Sequence, residues 1–311
     1  MTPLPDELQR ALREGLTLRP RRLPAALLYD ALGSTLFEAI TFLPEYQLSR
    51  IDHAMLERHA ASYLAALPGP LELLELGPGA GRKAAVLLAA LCARQPKARF
   101  VAVDVSAEAL LGCSRALSVH PGVSVETVEA TYLDGLARAP RSGAARLVCF
   151  LGSNLSNFDR TEAAHFFGAV RERLLPGDSL LVAADLEKPA DQLLPAYDDA
   201  LGVTAAFNRN VLVRLAREAG STLPLDAFRH VARWNAQARR IEMHLQATRP
   251  VDGQILGVPV VMQSGETLWT ESSHRFSLDE LHGWGAQAGF VVERSEVSSP
   301  WAFAQVLYRV P

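Results

Sequence analysis

The run Leu71-Glu72-Leu73-Leu74-Glu75-Leu76-Gly77-Pro78-Gly79-Ala80-Gly81-Arg82-Lys83 collects residue types that can hold a charged cofactor. Its apolar first half reads as a strand and its alternating glycines as a tight turn. The Ala- and Leu-rich stretch that follows reads as a helix. Glycine tolerates φ > 0 and has no Cβ, so such a turn lets a ligand approach bare backbone. The next strand-like run, Phe100-Val101-Ala102-Val103, ends in Asp104, an acid placed to accept both hydroxyls of a ribose. Together these features imply a nucleoside-containing cofactor.

Both nicotinamide enzymes and S-adenosylmethionine methyltransferases carry glycines followed by such an acid. Three features favour S-adenosylmethionine. The spacing Gly77, Gly79, Gly81 is not the Gly-x-Gly-x-x-Gly that seats a pyrophosphate. Glu75 stands two residues before the turn, where its carboxylate suits the ammonium of a methionine moiety and would repel a pyrophosphate. The chain also ends in two strand-like runs, Val291 to Val297 and Phe303 to Tyr308, joined through Ser299-Pro300-Trp301. They form an antiparallel hairpin common at the end of S-adenosylmethionine sheets.

The elements that must position these groups alternate between 52 and 187. Strands are expected near 71–76, 99–104, 124–130, 146–152 and 179–186, with helices near 81–94, 106–118 and 160–174. Several of these strands are apolar throughout, as when helices cover both faces of a parallel sheet. Residues 1–51 read as helical and polar, and 189–219 as helical. Phe228 to Trp234, Arg239 to Thr248 and Leu268 to Phe276 read as strands of another kind, since Arg240-Ile241-Glu242-Met243-His244-Leu245 alternates polar with apolar groups. Ser277 and Glu280 form a capping box for a helix to Ala288. The expected fold class is α/β, a doubly wound class I methyltransferase sheet with a second, smaller α+β substrate lobe. The sheet domain takes 52–187 plus 276–311, and the lobe takes 1–51 plus 188–275.

Composition limits the alternatives. At 311 residues with 49% hydrophobic content the chain can bury a full core, and its net charge of −3 provides no field for nucleic acid. Cys92, Cys113 and Cys149 are too few and scattered for a disulfide framework or a zinc site, and are expected as small buried hydrophobes. The eight histidines show no ligand spacing, so no metal is expected. Residues 1–22 lack a signal-peptide core, and the longest apolar run is too short to cross a bilayer. A cytoplasmic monomer without nucleic-acid or membrane partners is the default.

Beyond the glycine turn, the chain resembles the histidine-specific N-alpha-methyltransferase family, whose best-known member makes hercynine in ergothioneine biosynthesis. The matching segments are Leu28-Tyr29-Asp30-Ala31-Leu32-Gly33-Ser34-Thr35-Leu36-Phe37, Leu43-Pro44-Glu45-Tyr46, Phe150-Leu151-Gly152-Ser153-Asn154-Leu155-Ser156-Asn157-Phe158, Ala196-Tyr197-Asp198-Asp199 continuing to Phe207-Asn208-Arg209-Asn210, and Thr270-Glu271-Ser272-Ser273-His274-Arg275-Phe276. The resemblance implies that Gly77, Lys83 and Asp104 lie at the cofactor. It implies Asn157 and Tyr197 at a substrate carboxylate, and Tyr29 and Gly152 near the α-amine. Tyr46, Glu271 and Ser273 would surround the imidazole, with Met243 a pocket residue that favours histidine over bulkier aromatic amino acids. Departures lie around the pocket. Thr131-Tyr132 stands where the family often has Asp-Phe facing adenine, Gln47-Leu48-Ser49-Arg50 follows Tyr46, and Leu155-Ser156 replaces an Ile-Gly pair.

The chemistry suits these residue types. Methyl transfer from a sulfonium is an in-line displacement, so the amine must shed a proton and be held in line with the methyl. Tyr29 is the candidate to position the amine and relay its proton. Asn157 and Tyr197 are neutral donors for a carboxylate, as a site already holding a sulfonium requires. Glu271 and Ser273 stand two apart on a strand and share a face. His274 alternates away from them and is expected on the outer face. The expected activity is trimethylation of the L-histidine α-amine. The alternatives are another amino-acid substrate, such as a tryptophan derivative or a modified histidine, or a non-catalytic cofactor-binding regulator.

Overall fold

The structure is a computed structural model that describes residues 3–299 and 301–311. Met1, Thr2 and Pro300, and with it the middle of the expected Ser299-Pro300-Trp301 link, lie outside the described residues. The strands in chain order begin with β1 (Arg21–Arg22), β2 (Leu71–Leu76), β3 (Ala98–Asp104), β4 (Val123–Glu129), β5 (Ala145–Phe150) and β6 (Ser179–Asp185). They continue with β7 (Phe228–Asn235), β8 (Arg240–Ala247), β9 (Val251–Ile255), β10 (Val258–Met262), β11 (Thr267–His274), β12 (Val291–Ser298) and β13 (Phe303–Arg309). The chain forms two compact units. A sheet unit comprises Leu48–Glu187 and His274–Pro311, and an insertion unit comprises Met1–Gln47 and Lys188–Ser273.

In the sheet unit seven strands run in the order β12-β13-β6-β5-β2-β3-β4. The five strands β2 to β6 are parallel, and β13 runs antiparallel to both β6 and β12. This is the doubly wound class I arrangement. Alternate residues of each strand feed two cores. Leu74, Val101, Val148 and Val182 pack with Phe166 and Phe167 of the helix Arg160–Arg171 and with Leu281 and Trp284 of the helix Leu278–Gln287. Leu73, Phe100, Leu147 and Leu181 pack with Leu56 of the helix Gln47–Ala65, Leu87 and Leu91 of the helix Arg82–Arg94, and Leu110 of the helix Ala107–Leu117. Each fully buried Leu or Phe stabilises the unit by about 1.5–3 kcal/mol. Both expected capping-box groups are present: Ser277 Oγ accepts from Glu280 N at 3.1 Å, and Ser277 N donates to Glu280 Oε2 at 2.8 Å.

The insertion unit contains a four-stranded sheet, β1-β11-β8-β7, and the hairpin β9-β10. The hairpin and the helix Tyr132–Arg138 have no counterpart among the expected elements. The tract 189–219 is not continuously helical. Short turns over Ala190–Leu193 and Leu194–Ala196 precede a gap, and the long helix Val203–Glu218 begins after it. Asp199 makes that start, its two carboxylate oxygens accepting from Val203 N at 2.9 Å and Thr204 N at 2.7 Å. His274 corrects another expectation. Only 4% exposed, it stacks on Phe276 with ring centroids 6.4 Å apart. The outer face fails because β11 there runs into core: Phe276 is fully buried and Arg275 is ion-paired with Asp185 at 2.8 Å. Cys113 and Cys149 are buried, while Cys92 is half-buried.

Candidate active site

One strand carries two buried glutamates with opposite fates. At the start of β2, Glu72 accepts from Arg146 Nε at 2.7 Å and Ser142 N at 2.9 Å, and pairs with Arg99. Burial opposes its charge, but these bonds prevail and hold its carboxyl below the usual range. At the other end, Glu75 is 1% exposed and neither carboxylate oxygen has a hydrogen-bond partner among the described residues. Burial pushes its pKa up to about 8, with the Lys83 cation only partly opposing it and Asp52 and Asp104 adding to the rise. A buried acid of this kind is stabilised by a cation.

The glycine turn lies immediately beyond. Gly77, Gly79 and Gly81 have φ of 74°, 54° and 75°, the left-handed region that other residues enter at a cost. A Cβ on Gly77 would stand 2.7 Å from Asn154 Nδ2 and 3.4 Å from the Tyr132 ring, whereas one on Gly79 would meet nothing within 4 Å. Gly79 therefore leaves its backbone open to a ligand. Asp104 ends β3 half-buried and accepts from Ser106 N at 2.9 Å. Burial raises its pKa, against backbone hydrogen bonds from Ser106, Val105 and Gly79. Thr131 is exposed, and its hydroxyl donates to Asp134 Oδ2 at 2.8 Å. Tyr132 begins the next helix, its ring edge-on to Phe150 at 5.1 Å.

Beyond β5 the chain turns at Gly152, φ 77°. Its N–H donates to Asp52 Oδ2 at 2.7 Å, and that carboxylate also lies 3.4 Å from Lys83 Nζ. Gln305 Nε2 reaches the other oxygen at 2.6 Å, and Tyr63 donates to Gln305 Oε1 at 3.0 Å. Gly152 and Lys83 are thus joined through a fully buried acid. Asn157 ends the turn Asn154–Asn157 with its side chain exposed. Its neighbour Asn154 is the residue that touches the glycine turn, donating toward Leu76 O and Gly77 O at 3.3 and 3.4 Å.

In the insertion unit, residues distant in sequence are brought together. Tyr29 Oη donates to Glu271 Oε1 at 3.2 Å. Burial raises Glu271 to about 7, and the hydrogen bond from Tyr29 limits the rise. Tyr29, Phe37 and Phe207 pack with centroids 5.5–5.9 Å apart, and Tyr46 lies edge-on to Phe37 at 6.2 Å. Tyr197 and Ser273 share a hydrogen bond of 2.7 Å between hydroxyls. Met243 is 1% exposed on β8, opposite Ala232 of β7, and its carbonyl accepts from Thr270 Oγ1 at 2.9 Å. The arrangement can offer a carboxylate, hydroxyls and aromatic faces to a small polar molecule.

Sequence reasoning missed Asp52 and Asn154. Asn154 stands in the same segment as Asn157, and nothing in its spacing marks it as the residue that meets the glycine turn. Asp52 leaves no local signal, because an acid on a helix of alternating polar and apolar residues reads as solvated. No group of three or more His, Cys, Asp or Glu able to hold a metal occurs among the described residues.

Known proteins match this chain over almost its whole length. Residues 8–310 match the family model described as histidine-specific methyltransferase, SAM-dependent. The histidine N-alpha-methyltransferase of Mycolicibacterium smegmatis is 40% identical over 287 residues, covering 91% of this chain and 89% of that protein. That of Mycobacterium tuberculosis is 40% identical, covering 91% of this chain and 88% of its own length. A solved S-adenosylmethionine-dependent methyltransferase from Clostridium acetobutylicum shares the fold at a TM-score of 0.51 and 12% identity, covering 89% of this chain and 98% of that one. The chain belongs to the histidine-specific, S-adenosylmethionine-dependent methyltransferase family.

Proposed function

We propose that the enzyme transfers three methyl groups from S-adenosylmethionine to the α-amine of L-histidine, giving hercynine. The observation that carries this reading is that Tyr29 bonds to Glu271 and Tyr197 to Ser273 within one unit, with Glu271 and Ser273 two residues apart on β11; this supports an amine-orienting phenol, an imidazole acceptor and a carboxylate donor. Relatives 40% identical are named for histidine N-alpha-methylation, and a Neurospora crassa relative, 29% identical, is named for ergothioneine biosynthesis.

S-adenosylmethionine supplies an electrophilic methyl on a sulfonium. The residues of the sheet unit fit it. Glu75, a buried acid with no hydrogen-bond partner among the described residues, takes the methionyl ammonium, and Lys83, 3.4 Å from Asp52 Oδ2, takes the methionyl carboxylate. Gly77, Gly79 and Gly81 offer backbone, Asp104 accepts the ribose hydroxyls, and Thr131 with Tyr132 borders the adenine.

For the amino acid, Asn157 and Tyr197 hold the carboxylate. Gly152 and Tyr29 orient the amine. Tyr29 Oη takes the proton the amine must lose and passes it to Glu271 Oε1, whose pKa of about 7 suits a transient acceptor near neutral pH. Glu271 Oε2 remains for an imidazole N–H, with Ser273 and Tyr46 on the same ring. Met243 closes the side-chain pocket. The faces of Tyr29, Phe37 and Tyr46 suit a product that becomes a quaternary ammonium. The same reading takes the enzyme as a cytoplasmic monomer without nucleic-acid or membrane partners, supported by a net charge of −3.

The test incubates the protein with S-adenosylmethionine and each protein amino acid, and follows mass gain in methyl steps. Histidine should gain three. Gain on another amino acid with histidine inert would overturn the assignment.

A further inference from the structure

The segment Phe207-Asn208-Arg209-Asn210 has no place in the chemistry above, yet its side chains reach the neighbourhoods of both substrate tyrosines. It lies on the helix Val203–Glu218. Phe207 packs edge-on against Tyr29 at 5.5 Å. Asn210 Nδ2 donates to Asp30 Oδ1 at 2.7 Å, on the residue that follows Tyr29 and caps the helix Ala31–Ile40. Asn208, fully buried, points to β7 and β8 instead. Its Nδ2 lies 2.8 Å from His230 Nδ1 and 3.0 Å from His244 O. His230 Nε2 in turn lies 2.8 Å from the backbone carbonyl of Tyr197.

The donors and acceptors allow one protonation state. The His244 carbonyl requires the nitrogen of Asn208 to face it, so Nδ2 is a donor. His230 Nδ1 must then accept, and His230 carries its proton on Nε2, which donates to Tyr197 O. Both ring nitrogens are satisfied only in this neutral tautomer. Burial also disfavours the charged ring, although Asp198 and Asp199 oppose that effect.

Tyr197 has reason to need such a hold. It sits in the gap between the short turn Leu194–Ala196 and the helix Val203–Glu218, where no regular element fixes it. Its N–H bonds to Leu194 O at 2.9 Å, and His230 fixes its carbonyl. The phenol is then held at Ser273.

We propose that Asn208 and His230 are positioning residues for Tyr197: Asn208 sets the tautomer and ring plane of His230, and His230 anchors the Tyr197 backbone so that its hydroxyl is presented to the substrate. The proposal rests on Tyr197 binding the amino-acid substrate.

The test measures KM and kcat for histidine, and Kd for S-adenosylhomocysteine, in Asn208→Leu, His230→Phe and His230→Gln, each with Tyr197 intact and with Tyr197→Phe. With Tyr197 intact, Asn208→Leu and His230→Phe should raise KM about tenfold, the worth of one hydrogen bond. Change in kcat should be smaller, S-adenosylhomocysteine affinity should hold, and His230→Gln, which keeps an N–H donor, should recover part of the loss. In the Tyr197→Phe background the His230→Phe effect should shrink to less than about twofold. An equal factor in both backgrounds, or a parallel loss of S-adenosylhomocysteine affinity, would overturn the proposal. Imidazole ¹⁵N spectra of the ligand-free protein provide a second readout: His230 protonated on Nδ1 would overturn it whatever the substrate. If the wild-type protein leaves histidine unmethylated, the substrate assignment falls instead, and the tautomer spectrum still decides the positioning pair.

Discussion

The sheet unit and the insertion unit hold their candidate groups by different means. In the sheet unit the glycine turn follows β2 directly, Glu75 stands two residues before Gly77, and Gly79 leaves its backbone open. In the insertion unit the groups are side chains whose partners are 242 residues apart for Tyr29 and Glu271 and 76 apart for Tyr197 and Ser273. A backbone site is bound to its fold, so few substitutions adjust it without breaking it. A side-chain site can change its preference one residue at a time. On the proposed assignment, recognition of the donor at the glycine turn should be rigid, and the part of acceptor recognition that Tyr29, Tyr197 and Glu271 carry should be adaptable.

The sharpest way to break this contrast is Gly77→Ala. The new Cβ would meet Asn154 in a left-handed backbone, and affinity for S-adenosylhomocysteine should fall on the order of 100-fold by calorimetry. Retained affinity would show that the turn is not rigid. Next in size is Glu271→Ala. Loss of a charged hydrogen-bond partner should lower kcat/KM for histidine about 10- to 100-fold while S-adenosylhomocysteine binding stays within about twofold. Equal losses would make Glu271 a structural group.

The Glu75 prediction is one of pH. Its folded pKa of about 8 lies above its ordinary 4.5, so the stability it lends is full below 4.5 and is lost as pH rises through about 8. A bound ammonium should reverse that shift. Binding of S-adenosylhomocysteine at pH 7 should release about one proton, seen as a binding enthalpy that varies with buffer ionisation, and Glu75→Gln should abolish the release. Binding without proton release would remove the ammonium from Glu75. The smallest effect is expected at the adenine end. Thr131→Ala loses one exposed hydrogen bond to Asp134 and should weaken S-adenosylhomocysteine less than about fivefold, leaving the KM for histidine unchanged.

The same contrast governs what could be read from the sequence. Strands β2, β3, β5 and β6 are almost wholly buried on both faces, so their apolar runs identify them and the parallel sheet. The glycine turn and Asp104 are legible because they are local. The resemblance supplied Tyr29, Tyr197 and Glu271, but no spacing reveals that Tyr29 bonds to Glu271. Asp52, fully buried beneath Gly152 and Lys83, was invisible because its burial comes from partners elsewhere in the chain. The hairpin β9-β10 is not legible in the sequence because Asp252, Gly253 and Gln254 interrupt its first strand's apolar pattern. The burial of His274 followed from what covers a strand end, which alternation cannot express.

The chain leaves the sheet unit after Glu187 and re-enters it at His274, and there Leu186 bridges Phe276 in parallel while Glu187 N meets Phe276 O at 3.1 Å. The exit and the return are stitched together like the two sides of a buttonhole. Changes of length within 188–273 that spare this seam should leave the strand order of the parent sheet intact, whereas exchange of the whole segment would also break the pairing of β1 with β11.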